Sequence, residues 1–282
     1  MPRACWRILR CPRWVTGMIL VTGATGNVGR QAVDLLCAAG VPVRAMTRNG
    51  TATFPDGVEV APGDLRDPLD LQGIDAVFLM WPLHTGDALP GVLEAIGGRH
   101  VVYLGSGGVR GLSMADQAAL VSRRPAWTVV RPSTFAVNAR WWARQLRAGD
   151  EVRGTHGDLA LAMLHEADIA AVAVRSLLDG LVGRTFDITG PEALTQAEQV
   201  RVIGEVLGRP LRWVELPRAE ARAQLLADGL PESFVDVLLD VYAVMPRCAE
   251  VTTTVEEVTG RPARTFAEWV SDHAAEFGRM PV

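Results

Sequence analysis

The chain has 282 residues, 49% hydrophobic and 21% charged, which suits one α/β unit, alone or with a smaller lobe, and disfavours disorder. All 28 basic residues are arginine, and the absence of lysine excludes Schiff-base chemistry, a Walker-type phosphate loop and a catalytic tyrosine–lysine pair. The net charge of −4 provides no overall attraction to nucleic acid.

Residues 1–17 form a segment with arginines at spacings of three and four and no acidic residue. This pattern suits a basic arm or a degenerate transit peptide. However, Met18 directly begins an apolar strand, and compact domains rarely need residues before their first strand. We therefore predict that residues 1–17 are an extension outside the fold.

Short apolar runs alternate with helical patterns from Met18 onward. The runs are apolar at both odd and even positions, as expected for strands covered on both faces. Alternating strands and helices form right-handed βαβ units. We therefore predict an α/β fold with a Rossmann-type doubly wound parallel sheet. The predicted elements are strands at 18–22, 41–46, 58–61, 75–80, 100–105 and 127–132, and a first helix at 27–39.

A glycine turn follows the first strand in the sequence VTGATGNVG. Gly23 lets the chain leave the strand, Gly26 lets the backbone approach a diphosphate, and Gly29 lets the helix pack close to the sheet. Thr22 and Thr25 provide hydroxyl groups in the turn. The diphosphate would lie at the positive end of the helix, so the pattern predicts a dinucleotide site.

The end of the second strand indicates which dinucleotide binds. Sites that prefer NAD place an acidic residue there to hold the ribose 2′-hydroxyl, whereas NADP sites place a cation. This strand ends in Thr47 and Arg48. Arg48 is therefore predicted to face a 2′-phosphate, with an exposed loop arginine as the alternative.

Asp64 and Leu65 follow the third strand. The carboxylate can accept a hydrogen bond from an adenine amino group while the leucine covers the ring. Asp64 could equally cap a short helix beginning near Asp67.

Taken together, these motifs resemble the atypical short-chain dehydrogenase/reductase superfamily, in particular its NmrA-like, NADPH–quinone reductase-like branch. The resemblance extends nearly to the end of the chain through VVYLGSGG, VVRPSTFAVN, HEADIAAVAVRSL and GRTFDITGPEALT. It implies an NADP(H)-binding Rossmann domain with a small C-terminal substrate lobe. It also places Trp81 and Pro82 beside the cofactor ribose, although Trp81 could be a core side chain. The other cofactor positions that the resemblance implies are Gly23, Thr25, Gly26, Asn27, Val28, Gly29 and Arg48.

The catalytic pair of this superfamily is missing. Tyr103 has a glycine, not a lysine, four residues later and lies in an apolar strand, where a packed aromatic side chain is expected. The remaining weak candidates for catalysis are Ser106, Asn138 and His84. His165 is interpreted as a residue at a helix terminus.

The lack of a proton donor slows the reduction of some substrates more than that of others. Reduction of an isolated ketone creates alkoxide charge that needs a positioned donor. Hydride addition to a quinone or conjugated enone creates a delocalised anion, so orientation can supply much of the rate. We therefore expect an NADP(H)-dependent oxidoreductase acting on a quinone-like or conjugated carbonyl acceptor, with aromatic secondary metabolism as its expected setting. The alternative is a non-catalytic NADP(H)-binding redox sensor or regulator of NmrA type.

The last third of the sequence predicts a helix after Val137, a short strand in RTFDITG, and a helix at 195–207. Thr195 and Glu198 are predicted to form the capping box of the helix at 195–207. Residues 218–245 are interpreted as two mainly apolar helices. We expect a cofactor-binding core at 18–135 and a mixed region at 136–282 that completes the sheet and forms the substrate lobe.

The sequence contains no arrangement typical of a metal site or disulfide framework. Its four cysteines form no close pair, so we expect reduced thiols and no metal. No charge-free apolar run reaches about 18 residues, which argues against a membrane span. The predicted partner is a small aromatic or quinone-like molecule in the cytoplasm, with no nucleic acid or membrane.

Overall fold

A computed structural model describes residues 17–83, 85–105 and 111–278. The predicted extension at 1–17 therefore lies outside the described residues except for Gly17. The chain forms two compact units. One comprises the part up to Pro132 together with Glu166–Ile188 and Thr254–Arg261, and the other comprises Ser133–His165, Thr189–Thr253 and the part from Pro262 onward. The domain boundaries drawn from the sequence stay a prediction.

Strands and helices alternate along much of the first unit, except that the second, third and fourth strands follow one another without a helix between them. In chain order the strands are β1 Met18–Val21, β2 Val43–Thr47, β3 Glu59–Pro62, β4 Ile74–Met80, β5 His100–Leu104, β6 Trp127–Pro132, β7 Thr134–Phe135, β8 Glu151–Gly154, β9 Ala160–Leu161, β10 Met163–Leu164, β11 Arg184–Ile188, β12 Leu194–Thr195 and β13 Arg212–Glu215. The α-helices are α1 Asn27–Ala38, α2 Leu89–Ile96, α3 Met114–Ser122, α4 Ala143–Ala148, α5 Glu166–Asp179, α6 Gln196–Leu207, α7 Arg218–Ala227, α8 Glu232–Val244, α9 Thr254–Thr259 and α10 Phe266–Asp272. Two 3-10 helices span Ala136–Trp142 and Ala274–Phe277.

The first unit contains a seven-stranded sheet in the order β3-β2-β1-β4-β5-β6-β11. Every neighbouring pair is parallel. The strand order reverses beside β1, between β2 on one side and β4 on the other, and ligands of such folds bind at the carboxyl edge of that switch point. This architecture confirms the predicted Rossmann-type parallel sheet.

One predicted element is wrong. No helix begins near Asp67, because residues 65–67 form a turn in which the Asp67 N–H donates to the Asp64 carbonyl at 3.0 Å. Pro68 follows immediately. A proline disfavours helical geometry in the residue before it and has no N–H for a helical bond, so the turn cannot extend into a helix.

The second unit has a core of its own around the aromatic residues of α10 and the final 3-10 helix. Trp269 is fully buried and stacks on Phe266 with ring centroids 5.8 Å apart. Helix α6 packs against α10 and begins with the predicted capping box, in which the Thr195 hydroxyl accepts from the Glu198 N–H at 3.2 Å. Both the helix and its cap are therefore confirmed.

The two helices predicted at 218–245 are present as α7 and α8. Helix α8 buries Val235, Leu238 and Leu239. Helix α7 consists mainly of alanine and leucine but carries three charged residues and fully buries only Ala221. The helix predicted after Val137 begins as the 3-10 segment and continues as α4.

None of the described helices has the length and apolar character needed to cross a membrane. Cys37 and Cys248 are free thiols, and no group of three or more potential ligands could hold a metal ion in the described part of the chain. Cys5 and Cys11 lie outside the described residues.

We predict that Gly29→Ala lowers the free energy of unfolding by about 1–3 kcal/mol, the usual cost of overpacking. A Cβ at this position would lie 2.3 Å from the Gly23 carbonyl oxygen and 2.8 Å from Cε of Met80. Gly91→Ala in α2 is the matched control, because nothing lies within 4 Å of the added Cβ there. It should raise stability by about 0.5–1 kcal/mol through helix propensity. Urea unfolding measures the free energy of unfolding of both variants. Equal effects of the two substitutions would contradict the close approach of α1 to the Gly23 carbonyl.

Candidate functional site

The glycine turn joins β1 to α1 at the switch point of the sheet. Gly23 has φ +57°, a conformation that favours glycine, and its carbonyl accepts from the Gly26 N–H at 2.9 Å. Gly26 is the N-cap residue of α1, no side chain caps the helix, and its first turn contains no acidic residue. A helix start with this character favours an anion, because backbone N–H groups and the helix dipole both point toward it.

Two threonine hydroxyls fix the turn to neighbouring strands. The Thr22 hydroxyl accepts from the Met80 N–H at 2.8 Å and lies 3.1 Å from the Met80 carbonyl, which connects the end of β1 to the end of β4. The Thr25 and Thr47 hydroxyls lie 3.3 Å apart, which connects the turn to the end of β2. The turn is therefore held between the two strands that flank β1.

Arg48 follows β2 as an exposed side chain. Within the described residues its guanidinium makes no hydrogen bond or ion pair, and its positive charge helps to lower the pKa of Asp64. The unengaged cation lies one residue after Thr47, which contacts the turn. This placement fits the prediction that Arg48 faces a 2′-phosphate.

Asp64 is engaged by a residue that the sequence did not single out. Arg66 donates from Nε to Oδ1 at 2.8 Å, from Nη2 to Oδ2 at 2.9 Å, and from its backbone N–H to Oδ1 at 3.0 Å. The Arg66 side chain is the main cause of a pKa of Asp64 well below its usual value. Because Arg66 compensates the carboxylate, Arg48 is left without an acidic partner. The spacing Asp-x-Arg at a turn is the signal that predicts this pair.

The remaining predicted cofactor residues differ in exposure. Leu65 is 5% exposed and belongs to the core that also contains Leu20 and Met46. Trp81 is 7% exposed, and its indole N–H donates to the Thr85 carbonyl at 2.9 Å. The core-side-chain alternative for Trp81 therefore describes its environment, while Pro82 is exposed. Contacts of Asp64, Leu65, Trp81 and Pro82 with a cofactor stay a prediction.

Comparison with known proteins identifies the relatives of this chain. The model of the NmrA-like family matches residues 15–122. A (4-alkanoyl-5-oxo-2,5-dihydrofuran-3-yl)methyl phosphate reductase of Streptomyces griseus is 40% identical over 92% of this chain and 99% of the relative. The chain belongs to the NmrA-like family. An NAD(P)H azoreductase of Xenophilus azovorans is 35% identical to this NmrA-like chain over 93% of it and 99% of the relative.

A solved structure shares the fold of this NmrA-like protein. The NADPH-dependent quinone oxidoreductase of Escherichia coli, determined in complex with NADPH, aligns with a TM-score of 0.75 at 24% identity. The alignment covers 91% of this chain and all of that one. The family resemblance inferred from the motifs is therefore confirmed.

Tyr103 is a structural residue in this NmrA-like protein. It is 1% exposed, and its hydroxyl donates to Oε1 of Gln117, whose Nε2 donates to the Leu112 carbonyl at 3.2 Å. Burial raises the pKa of the phenol further above its ordinary value. The expectation of a packed aromatic side chain is confirmed.

Of the three predicted catalytic candidates, only Asn138 belongs to the part of the chain that the structure describes. Ser106 and His84 lie outside the described residues. Asn138 is a half-buried residue of the first 3-10 helix, and no described group forms a hydrogen bond with its amide. His165, just before α5, is 3% exposed and lies 3.3 Å from the Asp272 carboxylate, in agreement with its interpretation as a helix-terminus residue. All three catalytic assignments stay predictions.

We predict that Gly26→Leu weakens NADPH binding by about a hundredfold or more, equivalent to about 2.7 kcal/mol. The φ of −73° at Gly26 accepts leucine, so the backbone is not strained. The new side chain would occupy the space in front of the first turn of α1. Isothermal titration calorimetry measures the affinity, and urea unfolding confirms that the variant is folded. Undiminished affinity would refute the assignment of the turn.

For Tyr103→Phe we expect a loss of about 1–3 kcal/mol of stability, because the substitution removes the buried hydrogen bond from the phenol to Oε1 of Gln117. The pH profile of any turnover should keep its shape, since the phenol is part of the core. A changed profile at unchanged cofactor affinity would show that Tyr103 takes part in proton transfer.

Proposed function

We propose that this protein is an NADP(H)-dependent oxidoreductase that transfers a hydride to an electron-poor conjugated acceptor. The observation that carries the proposal is a glycine turn without a side-chain cap, together with an arginine at the end of β2 that pairs with none of the described carboxylates. These are the two features that a dinucleotide with a 2′-phosphate requires. The first explains binding of the diphosphate, and the second explains preference for the phosphorylated ribose.

The space around the glycine turn supports this proposal. Addition of a Cβ at Gly26 would meet only the Gly23 carbonyl at 3.2 Å, so the side facing away from the turn is open to a ligand. The diphosphate would be held by the first turn of α1, and Arg48 would pair with the 2′-phosphate as a charge-assisted contact. When bound, NADPH supplies a hydride. The proposed cofactor-binding residues are Gly23, Thr25, Gly26, Asn27, Val28, Gly29, Arg48, Asp64, Leu65, Trp81 and Pro82.

The class of acceptor is inferred from chemistry that the relatives share. The Streptomyces griseus relative is named as a reductase of a dihydrofuranone that carries an alkanoyl group, and the Xenophilus azovorans relative as an azoreductase. A dihydrofuranone double bond conjugated with carbonyl groups, an azo bond between aromatic rings and a quinone all spread added negative charge over several atoms. Such acceptors tolerate the absence of a tyrosine–lysine pair, whereas an isolated ketone needs a positioned donor.

We propose that the partner is a small molecule of this electron-poor class, with an alkanoyl dihydrofuranone as the first choice because its reductase is the 40% identical relative. The cytoplasmic location expected from the sequence stays a prediction.

The function is tested by NADPH oxidation with an acceptor panel. We expect turnover with an alkanoyl dihydrofuranone methyl phosphate, a benzoquinone or an azo dye, and none with cyclohexanone, which lacks conjugation. NADPH binding without oxidation by any acceptor would contradict the enzymatic proposal and favour the redox sensor. Turnover of cyclohexanone at a comparable rate would contradict the proposed substrate class.

Arg48→Glu should abolish the preference for NADPH over NADH, with a decrease of about tenfold to a hundredfold in the ratio of the two kcat/KM values. A carboxylate would repel the 2′-phosphate that the guanidinium attracts. Arg123→Glu is the matched control, because Arg123 is an exposed arginine at the C-cap of α3. An unchanged preference in the Arg48 variant would remove this residue from the site.

A further inference from the structure

The segment after Arg48 is held in place by a chain of local contacts. The Thr47 hydroxyl accepts from the Asn49 N–H at 3.1 Å. The Asn49 side chain in turn accepts from the Thr51 N–H at 3.1 Å and from the Thr51 hydroxyl at 2.8 Å. These bonds order the segment internally, but each of them joins residues no more than two apart. They do not fix the segment to the rest of the unit.

Arg30 supplies the connection to a distant part of the sequence. Its Nη1 donates to the Thr53 carbonyl at 3.1 Å, 23 residues away along the chain. Its guanidinium carbon also lies 5.3 Å from the centre of the Phe54 ring. A cation at this distance is attracted by the face of the ring. Arg30 therefore anchors the segment 49–54 through one charged hydrogen bond and one cation–π contact.

Arg30 lies in the first turn of α1, next to the proposed diphosphate site. Arg30 directly follows Gly29, and its backbone N–H donates to the Gly26 carbonyl at 3.0 Å as part of the first turn of the helix. The same turn would face the diphosphate. The Arg30 side chain thus connects the glycine turn to the segment 49–54, which directly follows Arg48.

We propose that Arg30 is a positioning residue for the 2′-phosphate site, a role that rests on the proposed NADP(H) dependence. An exposed arginine such as Arg48 loses side-chain entropy when it pairs with a phosphate, and an unanchored loop would add backbone entropy to that loss. By fixing residues 49–54 to α1, Arg30 removes the loss of backbone entropy that would otherwise accompany phosphate binding. Its effect is therefore confined to ligands that carry a 2′-phosphate.

The test compares two fragments that differ only in that group, adenosine 2′,5′-bisphosphate and adenosine 5′-monophosphate. Calorimetry gives the ratio of their dissociation constants for the wild type and for Arg30→Met, which retains an apolar stem but no donor or charge. We expect the ratio to decrease by about tenfold, equivalent to about 1.4 kcal/mol, while the affinity for the monophosphate stays within twofold.

Phe54→Leu separates anchoring from direct contact with the phosphate, and Arg30→Lys tests whether a cation at position 30 is sufficient. Arg30→Lys keeps a cation that can reach a carbonyl and a ring, and should restore at least half of the lost discrimination on a logarithmic scale. Phe54→Leu keeps the charge of Arg30 but removes the ring, and should decrease the ratio by about two- to fivefold, as expected for an exposed cation–π contact. Arg123→Met is the control for loss of a surface charge and should leave the ratio unchanged.

The possible failures are distinguishable. If the wild type does not discriminate between the fragments, the NADP(H) proposal fails and the role of Arg30 fails with it. If the wild type discriminates and Arg30→Met does so equally well, only the positioning role is overturned. An effect of Arg30→Met with none of Phe54→Leu would also overturn it, because the charge alone would then act on the phosphate.

Discussion

The close approach of α1 to the glycine turn is the constraint on which the candidate site depends. At Gly29 the helix lies so near the Gly23 carbonyl and Met80 that no side-chain atom can be accommodated. This contact sets the N-terminus of α1 directly over the switch point, between β1 and β4. Helix α1 also packs against α5, and this second contact helps to hold it in place. A larger residue at position 29 would displace the helix and the turn together.

Among the described residues, the charges at the ends of β2 and β3 leave one arginine, Arg48, without a carboxylate partner. Asp64 is only two residues from Arg66 and forms a two-pronged pair with it, which local chain geometry favours. Arg44, deeper in β2, is paired with Glu59 on the adjacent strand at 2.6 Å. Arg48 differs from both because none of the described carboxylates forms a pair with it. Such selective neutralisation focuses positive potential on one point of the surface.

Much of the first unit could be predicted from sequence because strand and helix periodicities and glycine positions are local signals. The turn, the helix after it and the strand–helix pattern that implies a parallel sheet all follow from local patterns, as does the capping box at Thr195 in the second unit. The short helix near Asp67 was wrong because Pro68 outweighed the capping signal. The anchor between Arg30 and Thr53 could not be predicted, since it depends on how a loop folds back over a helix 23 residues away.

The absence of a side-chain cap on α1 also has a thermodynamic consequence. Helices α3 and α10 begin with a capping box, in which the Ser113 or Thr265 side chain accepts from a backbone N–H of the first turn. Helix α1 has no such partner from a side chain, so a bound diphosphate would act as its capping group. Cofactor binding would then stabilise the start of α1 and raise the free energy of unfolding of the protein. Amide hydrogen exchange in the first turn of α1 would slow on binding far more than exchange in helices that carry their own caps.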